Sequence, residues 1–245
     1  MKKIIFPLLL VATVVLMFTA FILPVVKQTD NLKGAWIRKA NTGEVLLQFM
    51  DGYFTHSAFD KTSRKFIFTR GGTYTNNNGE LKVNVEFDTR DPDGIGKSFN
   101  YKTSVSGNTL TTEFEGRSFQ WTHVDNGANA AHGVWQITGR MQGDNFAPMN
   151  PGPRKTLKVL TSTRFQWIAI NPETKGFFGT GGGTYTFKDG KYTETIEFFS
   201  RDSSRVGASL QFDGKVDNGT KWTHKGLSSR GDPIHEVWER KNPKD

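Results

Sequence analysis

The pentapeptide "GGTYT" occurs twice in this chain, at residues 71–75 and again at residues 182–186. When the chain is shifted over itself by that spacing, the match extends in both directions without a gap. "FTHSAFDKTSRKFIFTRGGTYT" then lies over "FQWIAINPETKGFFGTGGGTYT", and "VEFDTRD" lies over "IEFFSRD". A match of this length at one fixed spacing indicates an internal duplication.

Each copy contains short runs of strand-forming residues separated by turn signals. In the second copy the turns are "NPETKG", "KDGK", "SRDSS", "DNGT" and "SSRGDP", and they divide it into eight predicted antiparallel strands. An eight-strand meander removes its exposed edges by closing into a barrel. No long stretch after residue 30 shows helical spacing of apolar residues. The predicted fold is therefore all-β, with two tandem small eight-stranded antiparallel meander barrels.

The repeat sets the predicted domain boundaries. Upstream, "KGAWIRKA" matches "HGVWQITG", and downstream "SFQWTHVD" matches "HEVWERKN". The first barrel is expected over residues 33–125 and the second over residues 132–242, with a short linker at 126–131. The second copy also carries an insertion, "QGDNFAPMNPGPR", between its first two strands.

The N-terminus predicts export. Met1-Lys2-Lys3 precedes an uncharged apolar run of 23 residues, Ile4–Val26. A spanning helix needs about 20 apolar residues, whereas the apolar region of a signal peptide has about 7–15. The length favours an uncleaved transmembrane anchor within residues 1–27 that faces the periplasm or exterior. A cleaved signal peptide, cut after Ala20, is the alternative, and the protein would then be secreted.

Composition argues against several function classes. The net charge of +8 is spread thinly and its basic residues alternate with acids, so no nucleic-acid partner is expected. The chain has no cysteine, and its five histidines show no metal-ligand spacing. No Gly-x-Ser-x-Gly elbow is present. We therefore expect no metal, no cofactor and no catalytic residues.

Both copies resemble lipocalins at their ends. A Gly-x-Trp in the first strand, Gly34-Ala35-Trp36 and Gly133-Val134-Trp135, is combined in copy two with a basic residue in the last strand, Arg240. Copy one has His123 at that place. Copy two, through "GGGTYT", "YTETIEF" and "EVWER", is similar to an uncharacterised lipocalin-like domain family of bacterial exported proteins. The resemblance implies small calycin-type barrels that bind a ligand, with Trp36, His123, Trp135 and Arg240 closing one end of each.

Candidate binding residues concentrate in copy two, where the insertion occupies the position of the lipocalin lid. Phe165, Trp167 and Ala169 share one strand face, which either packs as core or lines a cup. Glu86 and Glu197 occupy the same position in the two copies. Each side chain either lies on the outer wall in water or is a buried carboxylate. If Glu197 is buried, it needs a partner such as Arg201 or Arg240. The predicted ligand-binding residues are Phe165, Trp167, Tyr185, Glu197, Phe199 and Trp222.

Three functions fit this sequence. The first is a binding protein that holds a small apolar or amphipathic ligand in the second barrel. The second is a structural module with packed barrels that contacts an envelope protein partner. The third, an enzyme, would require a buried acid, for which Glu197 is the candidate. The sequence favours the binding protein over an enzyme.

Overall fold

A computed structural model describes residues 31–125 and 129–241. Within them the first repeat forms a closed barrel in which each strand pairs with the next. Its strands are β1 (Gly34–Ala40), β2 (Gly43–Met50), β3 (Tyr53–Asp60), β4 (Lys65–Asn77), β5 (Glu80–Asp88), β6 (Ser98–Ser106), β7 (Thr109–Phe114) and β8 (Arg117–His123). A single 3-10 turn, Pro92–Gly94, lies between β5 and β6.

The second repeat has the same order with one additional strand. β10 pairs only with β9, at the edge of the wall, and the other eight strands close through β9 and β17. A 3-10 turn, Ser203–Arg205, precedes β15. The strands are β9 (Gly133–Gln142), β10 (Asn145–Pro148), β11 (Lys155–Leu160), β12 (Arg164–Asn171), β13 (Gly176–Lys188), β14 (Lys191–Phe199), β15 (Ser209–Asp217), β16 (Lys221–Leu227) and β17 (Pro233–Arg240).

This architecture confirms the predicted all-β fold and the two tandem eight-stranded antiparallel barrels. The predicted apolar segment at residues 4–26 lies outside the described residues. Among residues 31–125 and 129–241, no helix has the length and apolar character needed to cross a membrane.

Strands at the junction of the barrels are buried on both faces. In β5 burial alternates over most of the strand, as expected for a wall with one wet face, but in β2 and β3 consecutive residues are buried. Leu47 points into the core of the first barrel, whereas its neighbour Leu46 packs outside with Phe59 and Phe198. The outer wall of one barrel is therefore covered by the outer wall of the other.

This interface has approximate two-fold symmetry, because both barrels contribute equivalent strands. Phe59 of the first barrel stacks on Phe198 of the second with 4.7 Å between ring centroids. The equivalent residues of the repeat, Ile170 and Phe87, share a second buried cluster on the same interface. That cluster joins residues of both barrels: Met50, Tyr53, Phe87, Val134, Leu157, Val159, Ile168 and Ile170.

A closed hydrogen-bond network lies among these apolar clusters. The amide nitrogen of Gln166 donates to the hydroxyls of Thr69 and Thr180, which are equivalent in the repeat, at 3.0 Å each. Ser57 donates to the amide oxygen of Gln166 at 3.0 Å and contacts the Thr69 hydroxyl at 2.8 Å. All four residues are fully buried. Because buried polar groups are costly when unpaired, this network favours one relative placement of the barrels.

Polar contacts also join the barrels around these clusters. Asp125 accepts hydrogen bonds from the backbone nitrogen of Ala35 and from the hydroxyls of Thr161 and Thr163, at 2.8–2.9 Å. Arg240 pairs with Asp51 at 2.8 Å. An apolar interface that joins both barrels restricts motion between them.

The repeated glycines are explained by this interface. A Cβ on Gly182 would lie 2.5 Å from the ring of Phe198 and 2.6 Å from the carbonyl oxygen of Phe165. A Cβ on Gly71 would likewise lie 2.6 Å from the ring of Phe87. Each pair of strands also carries a bulge at this point, between Gly71 and Gly72 and between Gly182 and Gly183. The "GGTYT" motif therefore lets an aromatic ring lie flat on the bare backbone of its own wall.

We predict that Gly182→Ala lowers the free energy of unfolding by about 1–3 kcal/mol, because the added methyl overlaps the Phe198 ring and a backbone carbonyl. Gly152→Ala is the matched control, since a Cβ there meets nothing within 4 Å, and it should change the value by less than about 0.5 kcal/mol. Urea unfolding followed by circular dichroism measures both. Equal stability of the two variants would contradict the close packing of Phe198 on Gly182.

Candidate ligand-binding site

The second barrel encloses a cavity of about 910 Å³ that opens at one end. At the mouth it is bordered by the turn between β16 and β17, through Ser228 and Ser229, and by residues 149–154, which belong to the insertion. Its walls are mostly apolar. They are formed by Ile137, Trp167, Ile196, Phe199, Leu210, Phe212, Ile234 and Trp238.

An ion pair lies at the inner end of this cavity. Lys158 Nζ is 2.7 Å from Glu194 Oε1, and each side chain is only 6% exposed. The hydroxyl of Tyr192 donates to the same carboxylate oxygen at 2.7 Å. Burial, followed by the charge and hydrogen bond of Glu194, raises the pKa of Tyr192 well above its usual value, so the phenol stays a donor. The Lys158 ammonium also lies 5.1–5.3 Å from the ring centroids of Tyr192, Trp222 and Trp238.

A second polar pair, His224 and Glu236, lines the same cavity. His224 Nε2 is 2.8 Å from Glu236 Oε2, and the Trp238 indole nitrogen is 3.2 Å from His224 Nε2. Burial lowers the pKa of His224 despite the opposing effect of Glu236, so the imidazole is neutral at neutral pH. Burial alone would raise the pKa of Glu236, but the hydrogen bond with His224 and the charges around it outweigh burial and lower it.

Two groups meet His224 Nε2: the Glu236 carboxylate, which accepts, and the Trp238 indole N–H, which donates, so Nε2 serves one of them in a given tautomer. Within the described part of the chain, His224 Nδ1 is buried and has no hydrogen-bond partner. The cavity therefore combines apolar surface, the Lys158–Glu194 ion pair, and an ionised Glu236 whose cationic neighbour is Arg140 at 3.8 Å. No group of three or more metal-ligating side chains is found among residues 31–125 and 129–241.

Two of the predicted ligand-binding residues line the cavity. Trp167 and Phe199 lie together on its wall with 5.3 Å between ring centroids. Phe165, Tyr185 and Trp222 instead belong to the packed core. Tyr185 donates its hydroxyl to the carbonyl of Thr161 at 2.6 Å, which fixes the ring in that core.

Glu197 is not among the residues that line the cavity. It lies on the outer wall, where it pairs with Arg164 and with Lys61 of the first barrel, the latter at 3.4 Å. Its repeat equivalent Glu86 lies on the outer wall too, bound to Tyr53 at 2.6 Å and to Lys155 of the second barrel at 2.9 Å. Both carboxylates therefore bridge the barrels, and Glu197 pairs with Arg164 of its own barrel and Lys61 across the interface instead of Arg201 or Arg240.

The predicted barrel-closing residues meet at the end opposite the mouth. Arg240 lies over the ring of Trp135, with its guanidinium carbon 4.7 Å from the centroid, and donates to the carbonyl of His132 at 2.8 Å. In the first barrel the rings of Trp36 and His123 are 4.7 Å apart. The indoles of Trp36 and Trp135 each donate to a backbone carbonyl four residues upstream at 2.8 Å.

The polar groups of the cavity were missed by sequence reasoning because the pattern of apolar residues is inverted in β11. Leu157 and Val159 face the interface, which leaves Lys158 facing the barrel interior. The repeat held a usable signal. By strand pairing, Lys158, Glu194, His224 and Glu236 replace Leu47, Val83, Thr112 and Phe119 of the first barrel. An inward position that is apolar in one barrel and charged in the other therefore indicates where the cavity of the second barrel carries its polar groups.

A family model matches the part of the chain that contains the second barrel. Residues 130–245, just under half of the chain, match the model of a family described as a domain of unknown function, DUF4488. No curated protein matches the chain.

We predict that Lys158→Leu lowers the free energy of unfolding by about 3–5 kcal/mol, because it leaves the Glu194 carboxylate buried without its cation. The double variant Lys158→Leu/Glu194→Val installs the residues that the first barrel has at these positions, and it should recover most of that loss. Chemical unfolding of the parent and both variants measures the difference. A double variant as unstable as the single one would contradict the coupling of the pair.

Proposed function

We propose that this protein is an extracytoplasmic, lipocalin-like binding protein whose second barrel holds a small amphipathic ligand. The observation that carries the proposal is the cavity of about 910 Å³ with apolar walls and a few buried polar groups. Ligand sites in proteins commonly occupy about 300–1,000 Å³ with this kind of lining. A barrel packed for structure alone would have filled this space with side chains.

The lining favours a ligand with an apolar body and an uncharged polar end. Trp167 and Phe199 offer aromatic surface to the body. Lys158 is matched by Glu194, and the ionised Glu236 has Arg140 as its cationic neighbour at 3.8 Å, so the inner end does not require a charged group on the ligand. His224 Nδ1 is buried and has no hydrogen-bond partner among the described residues. A hydroxyl or amide group of the ligand would satisfy it.

Placement outside the cytoplasm rests on the sequence. The apolar run at residues 4–26 follows two lysines, and this order sends the rest of the chain across the membrane. An uncleaved run would hold the barrels beside the bilayer, a natural source of amphipathic molecules.

The alternative function is a structural module of the cell envelope that binds a protein partner and no ligand. The exposed side chains of Phe146 and Met149, each 47% accessible, favour it, because they leave apolar surface uncovered on β10 and the residues that follow it.

Native mass spectrometry of the full chain, released from lipid nanodiscs, tests the proposal. We expect a co-purified small molecule on the parent protein that is lost from Trp167→Ala, because this variant removes the aromatic wall of the cavity. Phe146→Ala is the matched control, since its ring is exposed and lies outside the cavity. This variant should retain the molecule.

The opposite result is equally informative. A parent protein that carries no added mass, and takes up nothing from a lipid extract, would contradict the binding function and support the structural module. A molecule that remains bound to Trp167→Ala would place the ligand elsewhere on the protein.

A further inference from the structure

The first barrel also holds a pocket, but of a different kind. Its volume is about 210 Å³, and its inner surface is apolar. That surface is formed by Leu47, Phe49, Phe54, Leu81, Val83 and Trp121. Leu47 and Val83 stand where the second barrel has the Lys158–Glu194 pair, so the depth of this pocket carries no charge.

Polar groups of this barrel lie nearer its mouth. His56 and Arg70 are paired across β3 and β4, at the positions that Trp167 and Gly181 occupy in the second barrel. Arg38 of β1 likewise replaces Ile137 of β9. The two barrels are therefore opposite in polarity. The second barrel has charged groups at its inner end and aromatic groups nearer the mouth. The first barrel has apolar groups at its inner end and cationic groups nearer the mouth.

The two inner arginines have no carboxylate partner. Arg38 and Arg70 form no ion pair with any residue in the described ranges, and the Nε atom of each is buried without a hydrogen bond. Arg70 donates to the hydroxyl of Tyr101 at 2.5 Å. Arg38 lies over the rings of Phe119 and Trp121, with its guanidinium carbon 5.0–5.1 Å from their centroids. A guanidinium that packs against aromatic rings and has N–H groups without a partner can bind an anion.

His56 shows how strong the local positive field is. Burial, followed by the charges of Arg70, Arg38 and Arg90, lowers the pKa of His56 to about 3. Its imidazole is therefore neutral at pH 7, and its Nε2 atom is buried without a partner in the described chain. The inner mouth thus offers the cation of Arg70 and a neutral imidazole, while Arg38 lies over Phe119 and Trp121.

Carboxylates do occur farther out. Asp88, Asp91 and Glu115 border the outer mouth together with Arg90. Asp88 is engaged by the backbone nitrogens of Arg90 and Asp91 at 2.8 and 3.1 Å. None of these acids forms an ion pair with Arg70 among the described residues.

We propose that the first barrel is a second binding site, specific for a small anionic amphiphile such as a short-chain carboxylate. Its apolar tail occupies the pocket lined by Leu47 and Val83, and its anionic head lies at the mouth against Arg70. The site is separate from the cavity of the second barrel. Its ligand binds with the apolar end innermost, whereas the ligand proposed for the second barrel binds with its polar end innermost.

Isothermal titration of the full chain in lipid nanodiscs with octanoate and with 1-octanol tests this inference. The two probes share a tail and differ in the charge of the head, and titration of empty nanodiscs corrects for partition into lipid. We expect octanoate to bind at least tenfold more tightly than 1-octanol at pH 7. Equal affinities, or no octanoate binding, would overturn the proposal without any variant being made.

Three variants locate the site. Arg70→Met should reduce octanoate affinity at least tenfold and leave 1-octanol unchanged, because it removes the charge at the mouth. Lys82→Met removes the same charge from an exposed position on the outer wall of this barrel and should change neither affinity. Val83→Phe fills the pocket and should weaken both probes. Circular dichroism confirms the fold of each variant, and unchanged octanoate affinity in folded Arg70→Met or Val83→Phe would overturn the proposal.

Discussion

The burial of one barrel wall against the other is the constraint on which the rest of the structure depends. A small barrel normally has an apolar inside and a wet outside, so its strands alternate. Here β2 and β3, together with β11 and β12, are buried on both faces, because the outer face meets the other barrel. The requirement explains why Phe198 needs bare backbone at Gly182, and why Gln166, Thr69 and Thr180 satisfy one another in a dry region.

The same constraint determines what could be predicted from the sequence. The duplication, the turn signals and the strand count follow from local pattern, and the barrels follow from them. The cavity of the second barrel does not, because burial on two faces removes the alternation that tells inside from outside. Leu157 and Val159 look like core and face the interface, while Lys158 looks like surface and lies inside. The sequence predicted Trp167 and Phe199 as lining residues, because an aromatic residue is apolar whichever face of the wall it lies on.

Glu86 and Glu197 illustrate the limit of reasoning from a repeat. Their shared position indicates a requirement of the fold, and the structure shows what it is: each carboxylate bridges the two barrels. The partners could not be named from one copy, because they come from the other barrel. Tyr53 and Arg164, equivalent in the repeat, both contact the local carboxylate, and Lys155 and Lys61 reach it from across the interface.

Several interface positions are identical in the two copies, whereas the polar positions of the two interiors differ. Gly71 and Gly182, Thr69 and Thr180, and Phe87 and Phe198 are identical pairs at the interface. Leu47 and Lys158, Val83 and Glu194, and Arg70 and Gly181 are unlike pairs inside. An interface with two-fold symmetry requires the same surface from both copies, but nothing in it dictates the interiors. Two interiors of opposite polarity on one shared wall are what two different ligands would require.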